Sequence, residues 1–293
     1  MNDTTITFDK LTISQEDFIR LVQFVQKNYG INLIQKKHLI ESRLASTIKG
    51  KGFTSFSQYV SYILNTNNPK DLEVLLNKLT TNHTFFMREN SHFDFFRDTI
   101  LPHIEKTKMS RKFLSIWSAG CSSGQEPYTL SMILCDYFKN KPGWDTRVLA
   151  TDISMNVLNK AKEGIYLKED TKELPQSWQR TYLVSVNEEQ CTFVPKIKNN
   201  VIFKEFNLMD PIQFKIPFDV IFCRNVMIYF DQPTKDALIQ RFYKATNAGG
   251  YLLIGHSETL NKENCPYQYL MPATYQKKQT TSTVKKPGIF NSY

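Results

Sequence analysis

The stretch from Ser115 to Thr129 constrains this chain more than any other. It reads SIWSAGCSSGQEPYT, so a short apolar run leads into a loop of small residues. An acidic residue and a proline then open an amphipathic segment, which is typical of a helix start. A strand followed by a tight turn and a helix is the first unit of many nucleotide-binding α/β domains.

The loop favours a nucleoside ligand that carries no phosphate chain. Gly120 and Gly124 allow the backbone to approach a ligand where a Cβ would obstruct it. Their spacing is not the G-x-G-x-x-G of dinucleotide enzymes, and no Lys-Ser/Thr pair follows to hold a triphosphate. S-adenosylmethionine (SAM) fits these constraints, and an ordinary strand-to-helix turn is the alternative.

Hydrophobic periodicity predicts two regions of different architecture. Four apolar stripes at helical spacing predict an all-α N-terminal domain over residues 1–80. Beyond it, alternating strands and helices favour an α/β domain with a mostly parallel, Rossmann-like sheet. The apolar runs that predict strands are 113–117, 147–150, 201–206, 218–223 and 251–255, and the helices are predicted at 126–139, 154–163 and 233–246.

The remaining segments complete the predicted organisation. A helix over 90–107 lies in a linker region, residues 81–110, and the sheet domain occupies residues 111–278. A polar insert at about 165–200 interrupts the alternation and predicts a small β-subdomain. Residues 279–293 are predicted to form a flexible tail.

Charge and cysteine content narrow the choice of partner and compartment. The 293 residues carry a net charge of +9, which favours an acidic partner, either nucleic acid or an acidic protein. Five scattered cysteines without C-x-x-C spacing indicate reduced thiols, with neither a metal site nor a disulfide framework. The polar N-terminus is unlike a secretory signal, and no apolar run approaches the ~20 residues of a membrane span. We therefore expect a cytoplasmic protein without membrane insertion.

Polar residues follow two of the predicted strands at the edge where ligands bind in open α/β sheets. Asp152 ends the second strand, where a carboxylate can accept hydrogen bonds from both ribose hydroxyls. A helix N-cap is the alternative for Asp152. Asn207 and Leu208 end another strand, where an amide can read the adenine edge and a leucine can cover its face. A simple turn is the alternative there.

Arg224 and Asn225 follow a fully apolar run, 218–223, and would lie at the same edge. An asparagine in this position is costly to bury without a partner, which favours a role in the site. Tyr229 either lies near this edge or is a core tyrosine.

A stretch at 80–89 precedes the sheet and offers three further candidates. Asn82 and Thr84 alternate with bulky phenylalanines, and Arg88 follows. The alternative is that the aromatic rings dock the linker helix on the sheet while Arg88 solvates its surface.

Taken together, these segments resemble the CheR family of chemotaxis receptor glutamate methyltransferases. The resemblance spans about residues 12–278, with its motifs in order and at sensible spacing. Gln125 departs from the pattern, since the family often has a glutamate at that position. The matching motifs are TTNHTFFMRE from residue 80, AGCSSGQEPY from 119, ATDI from 150, FNL from 206, FCRNVMIYF from 222 and GHSE from 255.

The resemblance implies a SAM-dependent protein-glutamate O-methyltransferase that acts on chemotaxis receptors and releases S-adenosylhomocysteine (SAH). Arg88 and Tyr229 would be the catalytic residues closest to the transferred methyl group. In some family members the β-subdomain docks a tether peptide from the receptor C-terminus, so the insert is a candidate for such docking. The residues that would line the SAM pocket are Asn82, Thr84, Arg88, Glu126, Asp152, Asn207, Leu208, Arg224 and Asn225.

One predicted helix and its turn carry five cations against a single acid, Glu41. Because receptor methylation helices are glutamate-rich in this family, a cationic face can steer the enzyme to them. A solvated helix face is the alternative. The cations are Lys36, Lys37, Arg43, Lys49 and Lys51, and we expect docking through Lys36, Lys37 and Arg43.

The implied reaction asks little of the protein. A glutamate side chain with a pKa near ~4.3 is ionised at neutral pH, so no general base is required. Positioning and the exclusion of water are the contributions that remain. We expect Arg88 to aim the incoming carboxylate without a tight ion pair, and Tyr229 to pack against the methyl group.

Other functions make different demands on the sequence. A nucleic-acid methyltransferase needs a device for holding a base, such as an Asp/Asn-Pro-Pro-aromatic motif after the fourth strand, but this chain has RNVM there. Carbon-5 enzymes need a Pro-Cys nucleophile, and neither Cys121 nor Cys223 follows a proline. A non-catalytic module that senses SAM and binds the receptor is a further alternative.

Overall fold

The computed structural model describes residues 11–66 and 68–279. Most of the tail predicted for 279–293 therefore lies outside the described residues, as do the first ten residues of the predicted helical domain. Within the described part of the chain, no helix combines the length and apolar character needed to cross a bilayer.

Four helices form the N-terminal part, as predicted. Ser14 begins the first helix by accepting a hydrogen bond from the Asp17 N–H at 3.1 Å, and Asn68 caps the fourth ahead of Pro69. Each helix turns its apolar stripe inward, so that Leu21 and Leu44 are fully buried. The helices are α1 (Gln15–Tyr29), α2 (Lys37–Gly50), α3 (Phe56–Asn65) and α4 (Pro69–Leu79).

A continuous helical segment follows and leads into the sheet. It consists of α5 (Asn90–Phe95), a π-helical turn (Phe96–Ile100) and α6 (Leu101–Lys108). The helix predicted over 90–107 is confirmed, although the wider turn in its middle carries no sequence signal. The π turn buries Phe96 and Ile100 against the sheet.

The central sheet has seven strands in the order β6-β2-β1-β7-β8-β10-β9. Its first five strands are parallel, and β10 and β9 continue it antiparallel at one side. The order reverses between β1 and β7, which is the point where ligands bind in such sheets. The strands are β1 (Ile116–Ala119), β2 (Val148–Asp152), β6 (Val201–Glu205), β7 (Phe218–Cys223), β8 (Thr246–Ile254), β9 (Gln268–Met271) and β10 (Thr274–Gln276).

Both faces of this sheet are covered, because successive residues of its central strands point into different cores. Val220 and Phe222 of β7 pack with the linker helices and α7, while Ile221 packs with α11 and the N-terminal helices. These observations confirm the predicted fold class of a Rossmann-like α/β domain preceded by an all-α domain. The sheet helices are α7 (Gln125–Tyr137), α8 (Met155–Glu163) and α11 (Gln232–Ala245).

The insert between α8 and β6 forms a separate three-stranded antiparallel sheet in the order β3-β5-β4. This is the predicted β-subdomain. Tyr166 and Phe193 anchor it by packing against Phe86 and Tyr128. Its elements are β3 (Ile165–Leu167), a 3-10 turn (Glu169–Thr171), α9 (Gln176–Tyr182), β4 (Leu183–Ser185), β5 (Gln190–Phe193) and α10 (Pro195–Lys198).

The end of α1 packs directly on the sheet domain. Ile31 forms an isolated antiparallel bridge with Phe230, and the N–H of Asn32 donates to the carbonyl of Tyr229 at 2.8 Å. Gln26 donates to the carboxylate of Asp231 at 2.6 Å. The helical part therefore forms one wall above the carboxyl ends of the strands.

Candidate functional site

A cleft opens at the carboxyl ends of β1, β2, β6 and β7, at the point where the strand order reverses. The linker and the end of α1 close its other side. All ten residues that the sequence predicts for the site line this one cleft: Asn82, Thr84, Arg88, Glu126, Asp152, Asn207, Leu208, Arg224, Asn225 and Tyr229.

The loop after β1 forms the floor of the cleft. Gly120 has φ +83°, and a Cβ on it would lie 2.4 Å from a methyl group of Val226. Gly120 therefore serves close packing between two loops, as well as leaving the backbone open toward a ligand. The N–H groups of Gly120 and Cys121 donate to the carbonyl of Thr151, which ties this loop to the end of β2.

Asp152 holds the loop after β1 and the start of α8 together. Its carboxylate accepts hydrogen bonds from the N–H groups of Ser122 at 2.9 Å and Ser154 at 3.0 Å. The N-cap of α8 is Ser154, not Asp152, since the Ser154 hydroxyl accepts from the N–H of Val157. Burial raises the pKa of Asp152, against the effect of these donors. The carboxylate keeps acceptor capacity for further donors.

Arg224 is enclosed by two carboxylates and is almost fully buried. It donates to Glu89 at 3.1 and 3.2 Å and to Glu126 at 3.1 Å, and it also donates to the carbonyl of Arg88. The hydroxyl of Ser118 donates to the other oxygen of Glu126 at 2.7 Å. Burial raises the pKa of Glu126, and the Arg224 charge opposes that rise. A cationic ligand near Glu126 would favour its ionised form.

A further carboxylate, that of Glu258, supports the loop after β7. Glu258 accepts from the N–H groups of Asn225 at 3.1 Å, Ile228 at 3.0 Å and Gly255 at 2.6 Å. These three hydrogen bonds hold Asn225 at φ +60°, in the left-handed region that asparagine tolerates. The side-chain amide of Asn225 donates to Glu89 at 3.1 Å.

The two predicted catalytic residues both line the cleft. Arg88 donates to the carbonyl of His83 at 2.7 Å, and its guanidinium carbon lies 5.7 Å from the centre of the Phe85 ring. Among the described residues Arg88 forms no salt bridge. The Tyr229 hydroxyl donates to the carbonyl of Thr81 at 3.0 Å and accepts from the Thr81 N–H at 3.1 Å.

The remaining predicted residues differ in how far they are engaged within the chain. The Asn207 amide donates to the carbonyl of Asn28 in α1 at 2.8 Å and accepts from the N–H of Met209. This leaves one N–H and one oxygen lone pair for another partner. Leu208 is buried beside it, and Asn82 bonds to Asn77 at the cleft margin. Thr84 is half-buried.

Comparison with known proteins decides the family. The family model described as "CheR methyltransferase, all-alpha domain" matches residues 16–80, and "CheR methyltransferase, SAM binding domain" matches residues 82–276. The chain belongs to the CheR methyltransferase family. It is accordingly a SAM-dependent methyltransferase, as the sequence predicts.

Relatives match over nearly the whole chain. The chemotaxis protein methyltransferase of Borreliella burgdorferi is 44% identical over 272 residues, which cover 91% of this chain and 96% of that protein. The probable chemotaxis protein methyltransferase of Rhizobium etli is 36% identical over 243 residues, covering 82% and 91%. The chemotaxis protein methyltransferase of Escherichia coli is 34% identical over 265 residues, covering 86% and 87%.

Sequence reasoning missed the acidic partners that hold this CheR-family cleft together. Glu89 and Glu258 stood inside the quoted motifs, but no role was predicted for either. Glu89 has φ +55° and contacts Arg224, Asn225 and the N–H of His256. The signal that could have found Glu89 is its position directly after the predicted Arg88, whereas Glu258 has no predicted cleft residue beside it.

Glu89, His92 and His256 bring their ligand atoms within 4.8 Å of one another. Burial, followed by the nearby Arg224 and His256, lowers the pKa of His92 to about 4, so its ring is neutral at pH 7. Burial would raise the pKa of Glu89, but Arg224 and its other donors outweigh burial and lower it. The Arg224 cation already occupies this carboxylate and disfavours a divalent metal beside it. That the enzyme uses no metal stays a prediction.

The predicted cationic face of α2 is only partly a free surface. Glu41 lies on the buried side of the helix, where it accepts from the N–H of Ile13 and also interacts electrostatically with Lys37. Lys36 is exposed, and Lys37 lies near Phe18. Arg43 is turned toward the chain itself and bonds to residues 78–81.

Proposed function

We propose that this methyltransferase transfers the methyl group of SAM to glutamate side chains of chemotaxis receptors, giving glutamate methyl esters and SAH. The observation that carries the proposal is the cleft at the strand reversal, with the half-buried carboxylates of Glu126 and Asp152 in its lining and an Arg88 that forms no salt bridge with any described residue. The names of the relatives, chemotaxis protein methyltransferases, support the receptor as the substrate.

The donor groups of the cleft fit SAM. Asp152 retains acceptor capacity for the two ribose hydroxyls, and Leu208 offers an apolar face beside the remaining amide groups of Asn207. Glu126, whose pKa is raised by burial, would be stabilised in its ionised form by a ligand with a cationic centre. When bound, SAM supplies a methyl group on a positively charged sulfur.

Methyl transfer to a carboxylate needs no proton removal at neutral pH, since the glutamate is already ionised. Arg88 orients the incoming carboxylate from the cleft wall, because its guanidinium is not paired with an acid anywhere in residues 11–66 and 68–279. Tyr229 packs its ring toward the methyl group while its hydroxyl is held by Thr81. Orientation is the main catalytic contribution that these two residues make.

Receptor docking through cations is the next part of the proposal. Lys36, which is exposed, and Lys37, which is half-buried, lie at the start of α2, where they would attract glutamate-rich receptor helices. Arg43 was predicted to act with them. Its bonds to residues 78–81 point to a further role.

The β-subdomain is proposed to dock a tether peptide of the receptor. Both β3 and β4 are edge strands of their sheet, so each has a free side for another strand. Ile165, Leu167 and Val184 are exposed on these strands, each at 44% or more of its surface. An extended segment with apolar side chains would cover them.

The compartment and the domain limits complete the proposal. Receptor methylation helices lie in the cytoplasm, so we place the enzyme there. We divide the chain into a receptor-docking domain at 1–80, a linker at 81–110 and a catalytic domain at 111–278.

The alternative functions are not favoured. A nucleic-acid methyltransferase has no support from the family or from the named relatives. A non-catalytic module that senses SAM would have no need of an arginine free of salt bridges at the cleft wall.

Labelled transfer tests the proposal. The protein is incubated with methyl-labelled SAM and receptor-rich membranes, and membranes without receptors serve as the control. We expect label on a receptor band that mild base releases, as a carboxyl methyl ester requires. Label on RNA or DNA, or no label while SAH still binds, would overturn it.

A further inference from the structure

The segment between the helical part and the cleft is held from several sides. We call residues 78–82 the strap. It begins in the last turn of α4, and its residues Thr80, Thr81 and Asn82, followed by Thr84, belong to the cleft lining. The position of the strap therefore fixes one wall of the cofactor site.

Arg43 holds the outer side of the strap. It donates to the carbonyl of Lys78 at 3.3 Å, the carbonyl of Thr80 at 3.1 Å and the hydroxyl of Thr81 at 3.3 Å. The first two carbonyls lie at the C-terminal end of α4, where the helix leaves them without helical donors. A cation at this end is also favoured by the helix dipole.

Two cleft residues hold the strap from the inner side. The Tyr229 hydroxyl bonds to both the N–H and the carbonyl of Thr81. The Ser122 hydroxyl, in the loop after β1, donates to the carbonyl of Asn82 at 3.1 Å. Arg43 and Tyr229 thus form hydrogen bonds to the same residue, Thr81, from two different domains.

We propose that Arg43 is a positioning residue of the cofactor site, which sets the strap and thereby the cleft wall formed by Asn82 and Thr84. The inference rests on the proposed cofactor site. It also links the cationic helix α2 to the methyl-transfer site, since α2 carries both Arg43 and, at its start, the proposed docking lysines.

The geometry separates this role from a docking charge. The guanidinium reaches three oxygens at once, through two of its nitrogens, because its donors form a fixed fork. A lysine keeps the positive charge but offers one compact donor group, so it cannot span the same three acceptors. An Arg43→Lys variant should therefore preserve the electrostatic attraction to a receptor but lose most of the hydrogen bonds to the strap.

The test measures SAH binding to the full chain by calorimetry, without receptor. We expect Arg43→Lys to weaken SAH binding about tenfold, as the loss of charge-assisted hydrogen bonds implies. The matched control is Arg111→Lys, an exposed arginine outside the cleft, which should bind SAH as the wild type does. Wild-type SAH affinity in Arg43→Lys would overturn the inference and leave the proposed function standing.

A double-mutant cycle gives a readout that a general loss of stability would not. Because Arg43 and Tyr229 act on the same residue, the effects of Arg43→Lys and Tyr229→Phe on SAH affinity should be non-additive. Additive effects would contradict a shared action through the strap.

Two further results keep the test decisive. If Arg43→Lys does not fold, Thr81→Val removes one acceptor of Arg43 and should weaken SAH binding about threefold. An unchanged SAH affinity in that variant would overturn the inference. A wild-type chain that binds no SAH at all would overturn the cofactor site and, with it, the role of Arg43.

Discussion

The guanidinium of Arg88 donates to a main-chain carbonyl and lies against the Phe85 ring, and it forms no salt bridge in the described part of the chain. Arg224, by contrast, is fixed between two carboxylates at the cleft floor. Arg224 therefore has a structural role at the cleft floor, and Arg88 is the arginine that we propose orients an incoming acid.

Replacing Arg88 by alanine should remove the group that orients the substrate carboxylate. We expect the rate of receptor methylation to fall by about a hundredfold or more. A displacement of a reacting group by about 1 Å can lower the rate by that factor. The measurement is the initial rate of base-labile methyl transfer to receptor membranes, with Arg111→Ala as the control. Normal rates in Arg88→Ala would remove Arg88 from the mechanism.

His92 should make the stability of the enzyme fall in mild acid. Its pKa is lowered from 6.5 to about 4 in the folded chain, chiefly by burial. Between these values the unfolded chain takes up a proton that the folded chain does not, so stability falls as the pH falls. At pH 5 the loss amounts to about 2 kcal/mol relative to pH 7 and above.

Urea unfolding of wild type and His92→Gln at pH 7 and pH 5 checks this expectation. The variant lacks the titrating ring. The free energy of unfolding of the wild type, measured relative to that of the variant, should therefore be about 2 kcal/mol lower at pH 5 than at pH 7. A difference between the two proteins that is independent of pH would contradict the account.

Single residues show what sequence could and could not reveal about the site. Asp152 and Arg224 were predictable because each directly follows an apolar run, and the ends of parallel strands meet at one edge. The partner of Arg224 was not predictable, since Glu89 lies 135 residues away in the sequence. The same holds for Glu258, whose role depends on N–H groups in a different loop.

At the scale of elements, the loop after β7 depends on the carboxylate beneath it. Glu258 accepts three main-chain N–H groups through its two oxygens, and a glutamine can present only one oxygen to them. Glu258→Gln should therefore leave buried donors unpaired and lower the free energy of unfolding by about 1–3 kcal/mol.

The same substitution should weaken SAH binding, because the loop carries Arg224, Asn225 and Tyr229. Urea unfolding and calorimetry measure the two effects, and Glu263→Gln, an exposed glutamate nearby in sequence, is the control. Wild-type stability and SAH affinity in Glu258→Gln would show that the hydrogen bonds of Glu258 do not position the loop after β7.

The observed helices and strands agree with those predicted where the apolar periodicity of the sequence is strong. The four helices expected in the N-terminal region are present, and the first parallel strands lie within a few residues of their predicted limits. Strand β8 begins at Thr246, earlier than predicted, because Gly249 and Gly250 give its first half no apolar pattern. The antiparallel strands β9 and β10 were not predicted, since both are short and lie among polar residues in the sequence.

At the scale of the whole molecule, the cofactor cleft is a joint product of both regions. Tyr29 and Ile31, at the end of α1, line the cleft together with strand-end residues such as Asp152. The two-part organisation was evident from the switch in periodicity, but the packing of α1 on the sheet was not. That contact depends on single bridges, such as Ile31 with Phe230, which leave no pattern in the sequence.

A crystal structure of the full chain with SAH tests the central claim most directly. We expect the ribose to lie against Asp152 and the sulfur to face the gap between Arg88 and Tyr229, with the strap in place along the cleft wall. SAH bound elsewhere, or with its sulfur turned away from both of these side chains, would contradict the account.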